Sequence, residues 1–359
     1  MRVSAFAVLA FLGSFPGQVS RAPSAPEPAQ TGKPFRFVVL GHIRGDGHGL
    51  NHKLAEVLAE VRRVKPEAVF LTGDIIWGDY NNRRTDSSAV EAEWRGIDSA
   101  LATLGAPVYR VPGNHDINDA VTRDIWVRRY GALPQAVTLR GNRFLLLASG
   151  WVPQLGDTGK ALYIRGRDLD QGQIAFLTRE LATPTGTGRT FVVIHHLLWW
   201  EPDTAAWWRT VHPALVAGRV AMVFSGDYGP MKFSALERDG VRYLQSSIED
   251  SVPVVMQRNR IPSRLLSSQF DNFLLVTVEG GEVSVEVRTV AAVSSGQFSP
   301  ERWREINEIP PGGPTRSVWR RLWDLVGSPK RLTALGVAVG LIFGAGMLWG
   351  RRAAHRGDR

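Results

Sequence analysis

The stretch Val111-Pro112-Gly113-Asn114-His115-Asp116 decides the fold of this chain, because it places three polar side chains directly after an apolar run. Residues 107–111 have the β-branched and aromatic composition of a strand. Gly113 allows a sharp backbone turn, so the loop presents an amide, an imidazole and a carboxylate at the end of that strand. Gly, Asn and Asp also form ordinary turns. The choice between a turn and a site therefore depends on how the other strands end.

Five further segments share this apolar, Gly-bounded character, and we predict a strand for each of them. They are residues 35–41, 68–72, 143–148, 190–194 and 221–225. Apolar residues at helical spacing predict helices at 50–65, around 90–104 and around 171–181. Strands that are apolar on both faces and alternate with helices indicate an α/β fold.

The pattern changes beyond residue 230. Segments 241–246, 272–279 and 282–289 alternate apolar and polar residues, which is typical of antiparallel strands. We place a single domain at residues 35–295.

Polar and charged residues that could form a site follow five of the predicted strands. In chain order they are His42, Arg44, Asp46 and His48, then Asp74, then Asn114, His115 and Asp116, then His195 and His196, and finally Asp227. Ligands in α/β sheets collect at the carboxyl ends of strands, so these loops can converge on one site. Oxygen and imidazole donors without a thiolate suit Zn, Mn or Fe, and the pattern predicts a site for a divalent metal ion.

Composition and charge narrow the class of protein. With 44% hydrophobic and 21% charged residues the chain is globular, and the absence of cysteine excludes disulfides and thiolate chemistry. The formal net charge is +9, but residues 316–359 contribute +7 and residues 1–34 contribute +2. The part between them is neutral, so we expect no nucleic-acid partner.

The N-terminal residues have the layout of an export signal. A short basic start is followed by an apolar run that is too short to span a bilayer, and we predict a signal peptide at residues 1–21. Residues 22–34 form a proline-rich linker.

The C-terminal residues predict a membrane anchor. Residues 332–350 carry no charge and have basic residues on both sides, which favours a transmembrane helix over a buried core helix. Residues 296–331 form a tether with an interfacial apolar stripe, and residues 351–359 form a basic tail. We expect an exported protein that is anchored in the cytoplasmic membrane, with its globular domain on the extracytoplasmic side.

Partners in the membrane are suggested by glycine spacing. Gly336, Gly340 and Gly344 lie on one face of the predicted transmembrane helix, which permits a helix-mediated homodimer or contact with another membrane protein.

The order of the motifs resembles the calcineurin-like metallophosphoesterases. The resemblance is carried by Gly73-Asp74, by the Gly-Asn-His-Asp run at 113–116 and by His195-His196, each after a strand. It covers about residues 35–250 and includes the helix start at 170–177 that commonly precedes the histidine strand.

The resemblance implies a fold, a reaction and roles for these residues. The fold would be a four-layer α/β/β/α sandwich holding two metal ions bridged by Asp74. The second ion would also bind Asn114 and His195. His115 would donate a proton to the leaving oxygen or stabilise the transition state, with Asp116 orienting it. The substrate would be a phosphate mono- or diester.

Two loops depart from the family pattern. The first loop normally reads Asp-x-His, whereas this chain has His42-Ile43-Arg44, and the last normally reads Gly-His-x-His, whereas this chain has Gly226-Asp227-Tyr228-Gly229. By position the second metal keeps its ligands and can take Asp227. The first metal gains His42 and loses two histidines. Arg44 stays protonated and cannot bind a cation, but it can replace an ion's charge and hold a phosphate.

Three interpretations of these departures remain open. In the first, the protein is a membrane-anchored phosphoesterase with one metal ion, and Arg44 contacts the phosphate. In the second, it is a catalytically inactive member with no ion, which acts as a binding or assembly module at the membrane. In the third, Asp46, His48 or Asp79 restores a site for two ions. We favour one ion over two.

A tryptophan-rich stretch at residues 197–208 follows the histidine loop. It predicts either an aromatic cover over the site, able to stack on a base, a sugar, a lipid or a protein, or ordinary packing of a long insertion.

Overall fold

The structure, a computed structural model, describes residues 33–290 except 46, 81, 83, 150–168, 184–185, 228–231, 249–265 and 269–270. The predicted signal peptide, tether, transmembrane helix and basic tail lie outside the described residues, as does nearly all of the linker. Within the described part of the chain, no helix has the length and apolar character needed to cross a membrane.

Twelve strands are described, and they form two sheets. In chain order they are β1 (Phe35–Leu40), β2 (Ala68–Leu71), β3 (Val108–Arg110), β4 (Gln135–Leu139), β5 (Asn142–Leu146), β6 (Thr190–Val193), β7 (Val220–Ser225), β8 (Phe233–Arg238), β9 (Val241–Gln245), β10 (Leu266–Ser268), β11 (Asn272–Glu279) and β12 (Glu282–Thr289). One sheet has the order β12-β11-β1-β2-β3, and the other has the order β10-β8-β9-β7-β6-β5-β4.

Strand direction sets where the loops meet. In the first sheet β1, β2 and β3 are parallel, and in the second β5, β6, β7 and β9 are parallel. The hairpin of β11 and β12 joins the first sheet antiparallel to β1. The expectation of antiparallel strands after residue 230 is confirmed for this hairpin. It holds only in part for β9, which is antiparallel to β8 but parallel to β7.

Five α-helices, one 3₁₀ helix and one π-helix are described. They are α1 (Leu54–Val64), α2 (Ser87–Ala102), α3 (Ala120–Tyr130), α4 (Gln171–Ala182), α5 (His212–Ala217), a 3₁₀ helix (Leu198–Trp200) and a π-helix (Trp207–Val211). Three of them begin at an aspartate whose carboxylate accepts backbone N–H groups of the first turn, namely Asp86, Asp119 and Asp170. The sequence did not predict α3 or α5, because α3 shows little apolar periodicity and α5 is very short.

Three apolar clusters show how these elements are layered. The first joins α1, α2 and α3 to the outer face of the five-stranded sheet. The second lies between the two sheets and is centred on Phe37, whose ring contacts phenylalanines of both sheets. The third joins α4 and α5 to the outer face of the seven-stranded sheet. The mixed α/β sandwich is confirmed, and its layers run helices, sheet, sheet, helices.

The tryptophan-rich stretch belongs to the third cluster. Trp199, Trp207 and Trp208 are buried there beside Tyr243, and Trp200 is half-buried with its Nε1–H bonded to Ser234 Oγ. An aromatic cover over the site is therefore the wrong interpretation of this stretch, and ordinary packing is the right one.

Candidate functional site

The site forms where loops from both sheets meet at the carboxyl ends of their parallel strands. Within the first sheet, the backbone N–H groups of His42 and Arg44 donate to the carbonyls of Gly73 and Asp74, at 3.0 Å each. Between the sheets, His195 Nδ1–H donates to the carbonyl of Thr72 at 2.8 Å. The convergence predicted from the strand ends is thus held by hydrogen bonds of the loop backbone.

Gly113 is required because its loop passes directly against Asp74. A Cβ at position 113 would lie 2.1 Å from Asp74 Oδ1 and 2.4 Å from Asp74 N, distances that no side chain can accept. Asp74 itself has a φ of 51°, a left-handed conformation that costs free energy for a residue with a Cβ. The close approach aims the Asp74 carboxylate into the site.

The two oxygens of Asp74 face different groups. Oδ1 accepts a hydrogen bond from the backbone N–H of His115 at 3.0 Å and lies 3.4 Å from His195 Nε2. Oδ2 lies 3.1 Å from His42 Nε2 and 3.7 Å from Arg44 Nε. Burial alone would raise the pKa of Asp74, but the imidazoles of His195, His115 and His42 hold it well below its usual range. The carboxylate is therefore ionised at neutral pH.

His195 shows that these residues fit a metal ion. Its side chain is fully buried, and its Nε2 atom makes no hydrogen bond within the described residues. Because Nδ1–H donates to Thr72, Nε2 carries the lone pair. That nitrogen lies 3.4 Å from Asp74 Oδ1 and 3.7 Å from Asp227 Oδ1. A buried lone pair beside two carboxylates is the donor set that a divalent cation requires.

Asn114 and Asp227 also lie at this place. Asn114 is half-buried in the loop between Gly113 and His115, the two residues that approach Asp74. The backbone N–H of Asp227 donates to the carbonyl of His195 at 2.9 Å. The structure therefore brings His42, Asp74, His195 and Asp227 into one cluster of contacts, and Asn114 lies in the loop beside it.

His115 is oriented by the loop that follows β2. Its Nδ1–H donates to the carbonyl of Trp77 at 2.8 Å, and its ring centroid lies 5.1 Å from that of Trp77 and 4.3 Å from that of Tyr80. Burial lowers the pKa of His115 to about 4, and Arg44 acts in the same direction while Asp74 opposes it. The ring is neutral at pH 7. An anion bound beside it would raise this pKa, since opposite charge favours the imidazolium ion.

Asp116 has a different role from the predicted one. Its carboxylate accepts three backbone hydrogen bonds, from Gly113 at 2.8 Å, Ile75 at 2.9 Å and Ile76 at 3.1 Å. Burial and the Asp74 carboxylate raise the pKa of Asp116 to about 7, against the lowering effect of these donors. Asp116 therefore ties the loop after β3 to the loop after β2. The expectation that it orients the His115 ring directly is wrong, because Trp77 holds that ring.

Arg44 lies at the edge of the cluster with its charge directed at Asp74. Its Nη1–H donates to the carbonyl of Gly45 at 2.8 Å, and its guanidinium carbon lies 5.1 Å from the centre of the Trp77 ring. The side chain is 11% exposed, so an incoming anion can reach it.

The ligands considered for a restored two-ion site are engaged elsewhere. His48 Nδ1 pairs with Glu93, and His48 Nε2 lies 3.4 Å from Asp79 Oδ1. Asp79 also accepts the backbone N–H of Asp86 at 2.8 Å. Asp46 lies outside the described residues. The geometry gives His48 and Asp79 contacts with each other rather than with Asp74.

The comparisons with known proteins agree with this fold. The α/β sandwich and the cluster of carboxylate and imidazole groups together define the class of protein as a metallophosphoesterase. Residues 39–230 match the model of the calcineurin-like phosphoesterase family, and the chain belongs to that family. No curated protein sequence matches the chain significantly.

Solved structures with a similar fold include phosphatases. A purple acid phosphatase from yellow lupin seeds has a TM-score of 0.53 at 10% identity, covering 76% of this chain and 54% of its own. A dimetal phosphatase from Danio rerio has a TM-score of 0.47 at 14% identity, covering 72% of this chain and 99% of its own. This chain thus spans about half the length of the lupin enzyme. At these identities the likeness concerns the fold alone.

Sequence reasoning missed the residues that surround His115. Trp77 and Tyr80 contact its ring, and Asn118 Nδ2 donates to its carbonyl at 3.1 Å. A signal for the two aromatic residues was present, because the loop after β2 carries both of them within six residues of Asp74.

Proposed function

We propose that this protein is a metal-dependent phosphoesterase that uses one divalent ion to hydrolyse a phosphate mono- or diester. The observation that carries this proposal is the buried His195 Nε2, which has no hydrogen-bond partner in the described residues and lies between two carboxylate oxygens. Asp74, Asn114, His195 and Asp227 would hold the ion, which we expect to be Zn, Mn or Fe. When bound, it would polarise a phosphoryl oxygen and lower the pKa of water.

Charge beside Asp74 is the reason for one ion rather than two. Arg44 Nε lies 3.7 Å and His42 Nε2 lies 3.1 Å from Asp74 Oδ2, so these two side chains already occupy the surroundings of this oxygen. Because the guanidinium carries a positive charge, it repels a cation on that side. His42 is then a neighbour of the Asp74 carboxylate rather than a ligand of a separate ion.

The side chains next to the ion supply the remaining chemistry. Arg44 can donate two hydrogen bonds to the phosphate oxygens of a substrate. A bound phosphoester would raise the pKa of His115, which then holds a proton on Nε2 for the leaving oxygen while Nδ1–H stays on the Trp77 carbonyl. The hydrogen bonds of Asp116 join the loop after β2 to the loop after β3 and so keep His115 in position.

The proposal is tested by metal content and turnover of the purified full-length protein. We expect about one divalent ion per chain and hydrolysis of p-nitrophenyl phosphate or bis-p-nitrophenyl phosphate that chelation abolishes and Mn²⁺ restores. A protein that binds none of Zn²⁺, Mn²⁺ and Fe²⁺ and turns over neither substrate would overturn it.

Replacement of Arg44 separates its two effects. In Arg44→Met, removal of the charge beside Asp74 is expected to tighten Mn²⁺ binding by about 10-fold. Loss of the charged hydrogen bonds to phosphate is expected to lower kcat/KM by about 10- to 100-fold. Titration of Mn²⁺ and steady-state kinetics measure the two quantities.

Arg95→Met is the matched control, since Arg95 is exposed on α2 and both quantities should stay at the wild-type values. An unchanged kcat/KM in Arg44→Met would remove Arg44 from substrate binding.

The second candidate function is a catalytically inactive binding or assembly module. It is favoured by the contacts of Asp74 Oδ2, because Arg44 Nε and His42 Nε2 already lie beside this carboxylate oxygen without any ion. Absence of both metal binding and turnover is the result expected from this candidate.

We also propose that the domain is exported and held at the membrane. The apolar segments at 1–21 and 332–350 support this placement, and the glycine spacing in the second supports a homodimer or a membrane-protein partner. Full release of the chain from membranes by alkaline carbonate would contradict the anchor.

A further inference from the structure

We propose that His196 is a ligand of the metal ion, in a site formed by His195, His196 and Asp227. Each of the three residues offers one donor atom, and these atoms all lie within 4.8 Å of one another. The three residues are 0%, 2% and 8% exposed, so the donors are shielded from water. This inference rests on the proposed function. It specifies which residues bind the ion that the proposed function requires.

The charges around Asp74 favour this position for a cation. Arg44 and His42 face Oδ2 of Asp74, whereas His195 faces Oδ1. An ion among His195, His196 and Asp227 lies on the Oδ1 side of the carboxylate. There it gains the attraction of Asp74 and Asp227 and avoids close approach to the guanidinium.

Hydrogen bonding prepares His196 for binding an ion through Nε2. Its Nδ1 atom lies 2.9 Å from Ser149 Oγ, and its backbone N–H donates to the same oxygen at 2.9 Å. In the tautomer that donates Nδ1–H to Ser149 Oγ, Nε2 carries the lone pair. His195 has the same arrangement, with Nδ1–H donated to Thr72. A metal-binding histidine usually has its other nitrogen fixed in this way.

The donor atoms of His195, His196 and Asp227 explain how a metal ion can bind although the last loop has changed. Asp227 stands at a position where the related proteins normally supply a histidine. It contributes a negative charge, and His196 contributes the imidazole that the loop no longer provides. The imidazoles of His195 and His196 and the carboxylate of Asp227 match the preference of Zn²⁺ for nitrogen and oxygen donors.

The competing role for His196 is structural, as a buried residue that only anchors Ser149. The two roles differ in what happens to metal binding. Loss of a structural histidine lowers the free energy of unfolding and leaves the affinity of the folded protein unchanged. Loss of a ligand lowers the affinity for the ion.

The test uses the full-length protein with Zn²⁺ alone and with Cu²⁺ alone. His196→Gln is expected to weaken Zn²⁺ binding by about 10- to 100-fold in competition with a fluorescent chelator. The electron paramagnetic resonance spectrum of the Cu²⁺ form should show two imidazole nitrogens in the wild type and one in His196→Gln. His52→Gln removes an exposed histidine and should match the wild type in both measurements.

Ser149→Ala keeps the imidazole and removes its hydrogen-bond partner. We expect about a 10-fold loss of Zn²⁺ affinity in this variant. It tests the role of His196 in metal binding even if His196→Gln fails to fold. Wild-type affinity together with an unchanged Cu²⁺ spectrum in the folded variants would overturn the inference. A protein that binds Zn²⁺ through two imidazoles but hydrolyses no phosphoester would instead overturn the proposed function alone.

Discussion

Asp74→Asn is expected to abolish tight binding of the metal ion and to lower the rate of phosphoester hydrolysis by about 10³-fold. The carboxylate is the charged group at the centre of the cluster, within 3.7 Å of His42, Arg44 and His195. An amide retains one oxygen acceptor but carries no charge to offset a divalent cation. Metal analysis of the purified variant and initial rates at saturating Mn²⁺ measure the two effects.

Asp124→Asn is the matched control. It makes the same change of carboxylate to amide, but at a residue that is 66% exposed and lies away from the site. Asp74 also accepts the backbone N–H of His115, so the thermal melt of each variant must be recorded. A folded Asp74→Asn protein with wild-type metal affinity and turnover would contradict the placement of the site.

Phe37→Ala is expected to lower the free energy of unfolding by about 3–5 kcal/mol. The ring has no exposed surface and lies between the two sheets. Its centroid is 5.5 Å from that of Phe70 in the first sheet and 5.0 Å from that of Phe144 in the second. Truncation therefore leaves a cavity in a close-packed layer and removes ring contacts with both sheets.

Urea denaturation measures this loss. Val121→Ala removes an apolar side chain that is 41% exposed on α3 and should change the same free energy by less than about 0.5 kcal/mol. A loss below about 1 kcal/mol in Phe37→Ala would mean that the interface between the sheets can collapse around the missing ring.

The strands and their ends were predictable because the signals are local. Apolar runs such as 35–41 and 68–72 have the length and composition of buried strands, and both are observed as strands there. Parallel strands joined by crossover helices bring their carboxyl ends to one edge. This is why Asp74, His115 and His195 could be assigned to one place although they are far apart in the chain.

The sequence alone determined the α/β sandwich, the family and the set of candidate ligands, because strand periodicity and the Gly-Asn-His-Asp run are properties of short segments. Only the tertiary structure decided what each ligand contacts. The Asp116 carboxylate accepts hydrogen bonds from backbone amides about forty residues earlier in the chain. The carbonyl of Trp77 accepts a hydrogen bond from the His115 ring, and Arg44 lies beside Asp74. These partners come from separate loops, and hydrogen-bond and charge pairing between separate loops depends on distances that no local pattern encodes.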